Sequence, residues 1–281
     1  EKQLRGKKGV EVYMRDSRGR IQGPYMNGQM DRPAEAGTDL YLSIDRATQQ
    51  VAEQLMQNKI GSIVAIEPQT GEIIAMVSAP NWDPRRLVGK ERSANYQQLL
   101  KDPNKPLMNR ATQAQYAPGS TFKILQALVA LQNGSITPHT KYPCNGQQST
   151  PIKCTHDHGS PVSLEESIEQ SCNPYFWLLF RDMLQRDGYQ DGHVLFKQHY
   201  ADWREVIASF GLGERFANTD VREQAKGYVP TTEFYNKVYG QKGWKAITIR
   251  SLSIGQGEIL VTPLQLANQA AVLANKGYYI T

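Results

Sequence analysis

Apolar and polar positions alternate across Asp39–Ile44, which predicts a strand, and Asp45 follows as an N-cap for a helix running to about Gln57. Two β-branched runs come next, Gly61–Glu67 and Glu72–Ser78. They are separated by Pro68-Gln69-Thr70-Gly71, the pattern of a β-hairpin. Beyond them the period lengthens to that of helices. One spans Ser120 to about Leu131 and is closed by Asn133-Gly134, a second spans Ser163–Gln170, and a third starts near Pro174. Asp202–Phe210 predicts a short amphipathic helix stopped by Gly211, and Thr262-Pro263 opens a last helix to about Asn275, with proline in its first turn. Residues 1–40 are glycine-rich, charged and weakly periodic, with turn signals at Gly23-Pro24, Gly28 and Arg32-Pro33. They read as a linker or small β-rich connector. Strands first and helices afterwards, with no internal repeat, argue for an α+β fold rather than regular βαβ alternation.

Composition narrows the classes. Of 281 residues, 40% are hydrophobic, enough to build a core, and the net charge of +5 is spread along the chain. The densest basic run, Arg5–Lys8, is short, and no basic stripe carries interleaved aromatics, which argues against nucleic-acid binding. No stretch of about 18 apolar residues exists to span a membrane, and no signal peptide is present. A start at Glu1, without an initiator Met, reads as part of something longer.

The chemistry begins at Ala117-Pro-Gly-Ser-Thr-Phe-Lys123. A serine hydroxyl becomes a nucleophile only when a base takes its proton, and a lysine serves as that base only when neutral. Three residues apart on a helix, Ser120 and Lys123 are surface neighbours. Bringing a lysine from about 10.4 to near 7 costs roughly 4.6 kcal/mol. A helix N-terminus supplies only about 0.3 to 2 kcal/mol. Burial must therefore do most of the work, and Phe122, Ile124 and Leu125 make the surroundings apolar. Alone, the pair reads most safely as a helix start capped by Ser120. Ser171-Cys172-Asn173 changes the balance: in an extended turn Ser171 and Asn173 point one way, as a proton relay and an amide-holding group, and Cys172 points the other.

Together, Pro118-Gly-Ser-Thr-Phe-Lys123, Ser171-Cys-Asn173, the hairpin Ile63–Ser78, Gly255-Gln-Gly-Glu258 and Thr262-Pro-Leu-Gln-Leu-Ala267 resemble the transpeptidase domain of class B penicillin-binding proteins. The spacing and Leu4-Arg5-Gly6 are most similar to the elongation type. The resemblance implies a penicillin-binding, serine-transpeptidase fold: an antiparallel sheet flanked by helices, plus a helical subdomain carrying both motifs. Residues 1–40 would form the end of an N-terminal pedestal module and 41–281 the transpeptidase domain. It further implies D-alanyl-D-alanine transpeptidation of peptidoglycan stem peptides through an acyl-enzyme, acylation by β-lactams, cell-wall elongation partners, and a parent protein at the periplasmic face of the inner membrane. Ser120 would be the nucleophile, Lys123 its base, Ser171 the relay, and Asn173 the group holding the donor peptide. A penicillin-recognising hydrolase would need a deacylating base, for which no residue stands out, and a non-catalytic scaffold of the elongation complex is the alternative from another class.

The family's third motif, Lys-Thr-Gly or Lys-Ser-Gly, does not occur in these residues, and the chain stops after its last helix where the family would run on into that strand. The expectation is an incomplete domain: its C-terminal strands are absent, one oxyanion donor is missing at a cost of about 10²–10³ in rate, and an open sheet edge favours self-association.

All three cysteines, Cys144, Cys154 and Cys172, flank Thr155-His156-Asp157-His158-Gly159. These are the ligand types of a structural Cys₃His zinc site that would tie the loop to the back of the Ser171–Asn173 turn. A Cys144–Cys154 disulfide, expected of a protein working outside the cytoplasm, and unlinked core thiols stay open beside it. His158 is favoured over His156 because the family often carries His-Gly at the matching place. His139, His193 and His199 are isolated and read as surface or core histidines. Trp177, Leu178, Leu179 and Phe180 read as helix core. No Gly-x-Ser-x-Gly offers a Ser-His-Asp hydrolase its anchor.

Overall fold

The computed structural model describes residues 2–186 and 194–280. The chain divides into two compact units, Glu1–Ser43 and Ile44–Thr281. The first holds a one-turn helix, α1 (Lys2–Arg5), and a short antiparallel hairpin, β1 (Tyr13–Arg15) with β2 (Ile21–Pro24). The predicted strand at Asp39–Ile44 does not form. Leu40, Tyr41 and Leu42 are exposed and no described strand pairs with them, so the alternation has no ladder to join.

In the second unit, α2 (Arg46–Leu55) begins as expected at Asp45, whose carboxylate accepts the Thr48 N–H at 2.7 Å. The hairpin is β3 (Gly61–Ile66) with β4 (Ile73–Ala79), in register from Gly61↔Ala79 to Ala65↔Ala75, with a one-residue shift before Ile66↔Ile73. A Gln49 carboxamide blunts the outer edge of β4 by pairing with both Met76 N–H and Met76 C=O, at 2.9 and 3.0 Å. Gly71 turns the hairpin at φ +78°. A Cβ there would lie 2.5 Å from the Ile280 carbonyl oxygen, so only glycine lets the C-terminal segment pass.

The remaining helices are α3 (Arg92–Lys101), α4 (Arg110–Gln113), α5 (Lys123–Gln132), α6 (Leu164–Glu169), α7 (Asn173–Leu184), α8 (Val194–Ser209), α9 (Thr232–Tyr239) and α10 (Pro263–Ala274). Ser163 opens α6 with a reciprocal capping box to Glu166, and Thr262 opens α10 with one to Gln265. The helix predicted at Asp202–Phe210 is two turns longer at its N-terminal end. Phe196, Tyr200, Trp203 and Ile207, spaced four, three and four apart, form one continuous buried stripe. The short α9 and the weakly amphipathic α3, with Leu99 its one buried residue, gave no comparable sequence signal.

The core lies among α5, α7 and α8, where Trp203 sits edge-on to Phe122 and Phe180 at centroid distances of 6.2 and 5.3 Å. Its indole N–H donates to Gln126 Oε1 at 2.7 Å, and Gln126 Nε2 donates to the Leu252 carbonyl, so the buried polar groups of α5 are paired. This packing fixes the start of α5 against the start of α7. The α+β architecture, an antiparallel sheet with helices packed on it and a larger helical region, agrees with the fold expected from the sequence.

Candidate active site

Pro118 leads into a 3-10 turn, Gly119–Phe122, that continues as α5. The turn is not capped by Ser120: no side-chain cap is made there, and the Ser120 hydroxyl is exposed and accepts from Ser171 Oγ at 2.8 Å. Two contacts from elsewhere in the unit hold this turn. Gly119 N–H donates to the Gly255 carbonyl at 2.8 Å, and Gln269 of α10 donates to the Thr121 carbonyl at 2.8 Å. Gly255 lies at φ +67°, and a Cβ on it would fall 2.3 Å from the Gly119 oxygen, so the two glycines meet backbone to backbone.

The Ser171–Asn173 segment is the corner between α6 and α7. Ser171 N–H bonds the Ile168 carbonyl and Cys172 N–H bonds the Ser167 carbonyl, the paired bonds of a Schellman helix exit. That exit places Ser171 in the left-handed region, at φ 50°, a position glycine usually fills. A residue with a side chain there carries backbone strain, which is tolerated where the side chain has work to do.

Lys123 is 2% exposed, and its ammonium donates to Ser171 Oγ at 2.8 Å, the Ser171 carbonyl at 2.7 Å and Asn173 Oδ1 at 2.6 Å. Those contacts use all three N–H donors. Lys123 therefore reaches Ser120 through Ser171, a linear chain of Nζ, Oγ and Oγ, rather than by the direct contact that helical spacing suggests. Burial lowers the lysine to about 8, with Cys172 and Cys154 pulling the other way. Asn173 Nδ2 donates to the Lys153 carbonyl at 3.2 Å, which fixes the amide's orientation.

Behind the corner, Cys144, Cys154, His158 and Cys172 come together, with ligand atoms all within 4.8 Å of one another. All three thiols are free and buried. His158 Nε2 is 3.2 Å from Cys154 Sγ and 3.8 Å from Cys144 Sγ, while its Nδ1 bonds the Gly159 carbonyl at 2.9 Å. That second bond sets Nδ1 as the donor and leaves the Nε2 lone pair facing the sulfurs. His156 turns out to solvent beside Thr155 Oγ1. Burial opposes ionisation of Cys154, but the His156 N–H, the His158 ring and the Asn173 N–H outweigh it and bring the thiol down to about 7. Burial pushes Cys172 up to about 12. Donor set and spacing fit a tetrahedral metal with bonds of about 2.3 Å to sulfur.

Elsewhere, His139 is exposed and His199 is buried with Nδ1 at 3.0 Å from the Leu184 carbonyl, while His193 lies outside the described residues. Trp177, Leu179 and Phe180 are buried in α7, with Leu178 partly so. The sequence offered no route to the carbonyls of Lys153 and Gly255. A backbone acceptor leaves no mark on residue type.

A serine, a lysine, a second serine and an asparagine thus meet at two helix starts of an α+β unit. The chain belongs to the penicillin-binding protein transpeptidase domain family, whose profile matches residues 61–281. Within that family it is similar to penicillin-binding protein 2. The peptidoglycan D,D-transpeptidase MrdA of Escherichia coli strain K12 is 32% identical over 281 residues, 98% of this chain and 41% of the relative. The chain thus spans less than half the length of that relative. The crystal structure of Pseudomonas aeruginosa PBP2 in complex with WCK 5153 superposes at a TM-score of 0.72 with 33% identity, covering 88% of this chain and 54% of that one. The ceftriaxone acyl-enzyme of penicillin-binding protein A from Mycobacterium tuberculosis superposes at 0.68 with 28% identity, over 87% and 52% of the two chains.

Lys123 is expected to titrate near 8, well below the ordinary lysine value, in an NMR pH titration of lysine side chains with Lys123→Gln assigning the signal. A midpoint near 10.5 would mean that burial does not tune it.

Proposed function

We propose that this domain carries out D,D-transpeptidation of peptidoglycan stem peptides, with Ser120 as nucleophile, Lys123 as base, Ser171 as relay and Asn173 holding the substrate amide. The observation that carries the reading is the continuous chain from Lys123 Nζ through Ser171 Oγ to Ser120 Oγ, with both links at 2.8 Å. At pH 7 a lysine of about 8 is neutral in roughly a tenth of molecules, on the order of 200-fold more than an ordinary lysine. Neutral Lys123 takes the Ser171 proton as Ser171 takes that of Ser120. The Ser120 oxygen attacks the carbonyl of the penultimate D-alanine, and the terminal D-alanine leaves with the proton returned along the same chain. An acceptor amine then attacks the ester, gives its proton to the relay and releases Ser120. A β-lactam enters by the same attack, and its opened ring stays attached in place of a departing residue. The ceftriaxone adduct of the M. tuberculosis relative supports that step.

The chain's place in an elongation-type protein supports a setting on the periplasmic face of the inner membrane, among cell-wall elongation partners. Among the described residues no helix is long and apolar enough to cross a membrane. Residues 1–281 hold no Lys-Thr-Gly or Lys-Ser-Gly triplet, so on this reading they acylate slowly by themselves, by about 10²–10³ relative to a chain that supplies the second oxyanion donor.

Fluorescent penicillin is expected to label the full-length protein at Ser120, found by mass spectrometry of the labelled peptide. Ser120→Ala abolishes the label, and Ser171→Ala slows it by about 10²–10⁴. The labelling rate rises with pH through about 8, because the neutral lysine is the active form, and levels off above. Undiminished labelling of Ser120→Ala would overturn the assignment, and rapid stoichiometric labelling of residues 1–281 alone would overturn the predicted impairment.

Cys144, Cys154, His158 and Cys172 are proposed to hold a structural zinc. Bound there, the ion supplies no chemistry to the reaction. It would tie the Lys153–Cys154 segment of the loop, whose Lys153 carbonyl orients Asn173, to Cys172 just before α7. Because thiols must lose protons to bind, affinity rises with pH. Elemental analysis of purified protein is expected to give about one zinc per chain, with a chelator lowering the melting temperature. Substoichiometric zinc with no chelator effect would remove the assignment.

A further inference from the structure

Gln256 lies against the turn that carries Ser120. It stands between Gly255 and Gly257, at φ +67° and +81°, and its own N–H bonds the Ser251 carbonyl at 3.0 Å, so the backbone leading into this side chain is anchored. The Gly255 carbonyl takes the Gly119 N–H at 2.8 Å, which locks this loop to the turn that carries the nucleophile. A Cβ placed on Gly119 would lie 3.6 Å from Gln256 Nε2, so the carboxamide lies against the residue immediately before Ser120. The side chain is exposed, and among the described residues its carboxamide makes no hydrogen bond within the protein.

The loop presses on the Ser120 turn and displays there one exposed carboxamide, available to a ligand. The structural links of the loop are all made by its backbone, and the side chain adds nothing to them. A carboxamide is uncharged and offers both donors and an acceptor, which matches a peptide backbone and not a carboxylate.

Resting on the transpeptidase reading, we propose that Gln256 is a peptide-binding residue that hydrogen-bonds the main chain of the stem peptide acylating Ser120. Asn173 holds the reacting end of the peptide from one side, and Gln256 steadies its chain from the Gly119 side. A penicillin is a compact bicycle with a short side chain and offers less extended peptide to this contact. Gln256 therefore discriminates between peptide and antibiotic, whereas Ser120 and Lys123 act on both.

The test compares two acylation rate constants in the full-length protein, one for a thioester analogue of an N-acylated peptide ending in D-alanine and one for benzylpenicillin. Gln256→Ala is expected to lower the peptide-to-penicillin ratio by about three- to tenfold, the range for one neutral hydrogen bond, with an unchanged melting temperature. An unchanged ratio would overturn the inference. So would a parallel fall of both constants with a lower melting temperature, which would make Gln256 a structural residue of the loop. Failure of the unsubstituted protein to form any acyl-Ser120 is a separate result, and it would remove the transpeptidase reading on which the inference stands.

Discussion

A lysine ammonium enclosed in the helical core is the constraint to which the site is built. Burying a charge is costly unless its donors are paired, and Lys123, at 2% exposure, has three partners for three donors. All three belong to two residues of one helix corner. The corner must therefore present a hydroxyl, a carbonyl and an amide oxygen toward α5 within one short turn. The Schellman exit of α6 does this, because the left-handed residue at 171 reverses the chain just before α7 begins. The aromatic packing of α5 against α7 and α8 then holds donor and acceptors in place.

The corner is held from both faces. Ser171 and Asn173 meet Lys123 in front, and Cys172 faces the cysteine–histidine cluster behind. The Lys153 carbonyl joins the two faces, since it takes the Asn173 amide while its neighbour Cys154 belongs to the cluster. On the proposed reading, a metal behind and a lysine in front pull on alternate residues of a three-residue segment. Its conformation is then over-determined, as a strained left-handed serine requires. The hairpin β3–β4 and α2 take no direct part in this and serve as the other layer of the unit.

Much of this was legible in residue types, and the limits are physical. Ser120, Lys123, Ser171 and Asn173 were singled out because serine, lysine and asparagine at fixed spacing are visible one letter at a time; the extended turn expected at Ser171–Asn173 is instead a left-handed helix exit, and Cys172 still joins the cluster behind it. The chain from Lys123 through Ser171 to Ser120 was less legible. Helical spacing brings Lys123 near Ser120, but only the α6–α7 corner shows that its donors are fully used elsewhere. Asp39–Ile44 shows the reverse failure: a local alternation without a partner strand stays unpaired, since β propensity is realised only in a ladder. The α8 stripe was undercounted because Gln198, His199 and Asp202 interrupt it with polar letters, although the apolar positions keep their helical spacing.

The depressed lysine also explains why so polar a cluster persists in a packed interior. The drop from the ordinary value to about 8 means that burial disfavours the charged form by roughly 3 kcal/mol. Evolution could recover that energy by replacing Lys123 with an apolar residue, since buried charges are often no more stabilising than well-packed side chains of similar volume. Retaining the lysine has a different return: the energy lost in folding reappears as a population of neutral amine at physiological pH, already aligned with Ser171. A fully solvated lysine would cost nothing in stability and would be almost never neutral at that pH. On the proposed reading, the strain at Ser171 and the burial at Lys123 are therefore two parts of one arrangement, in which stability is exchanged for a base of the right strength in the right place.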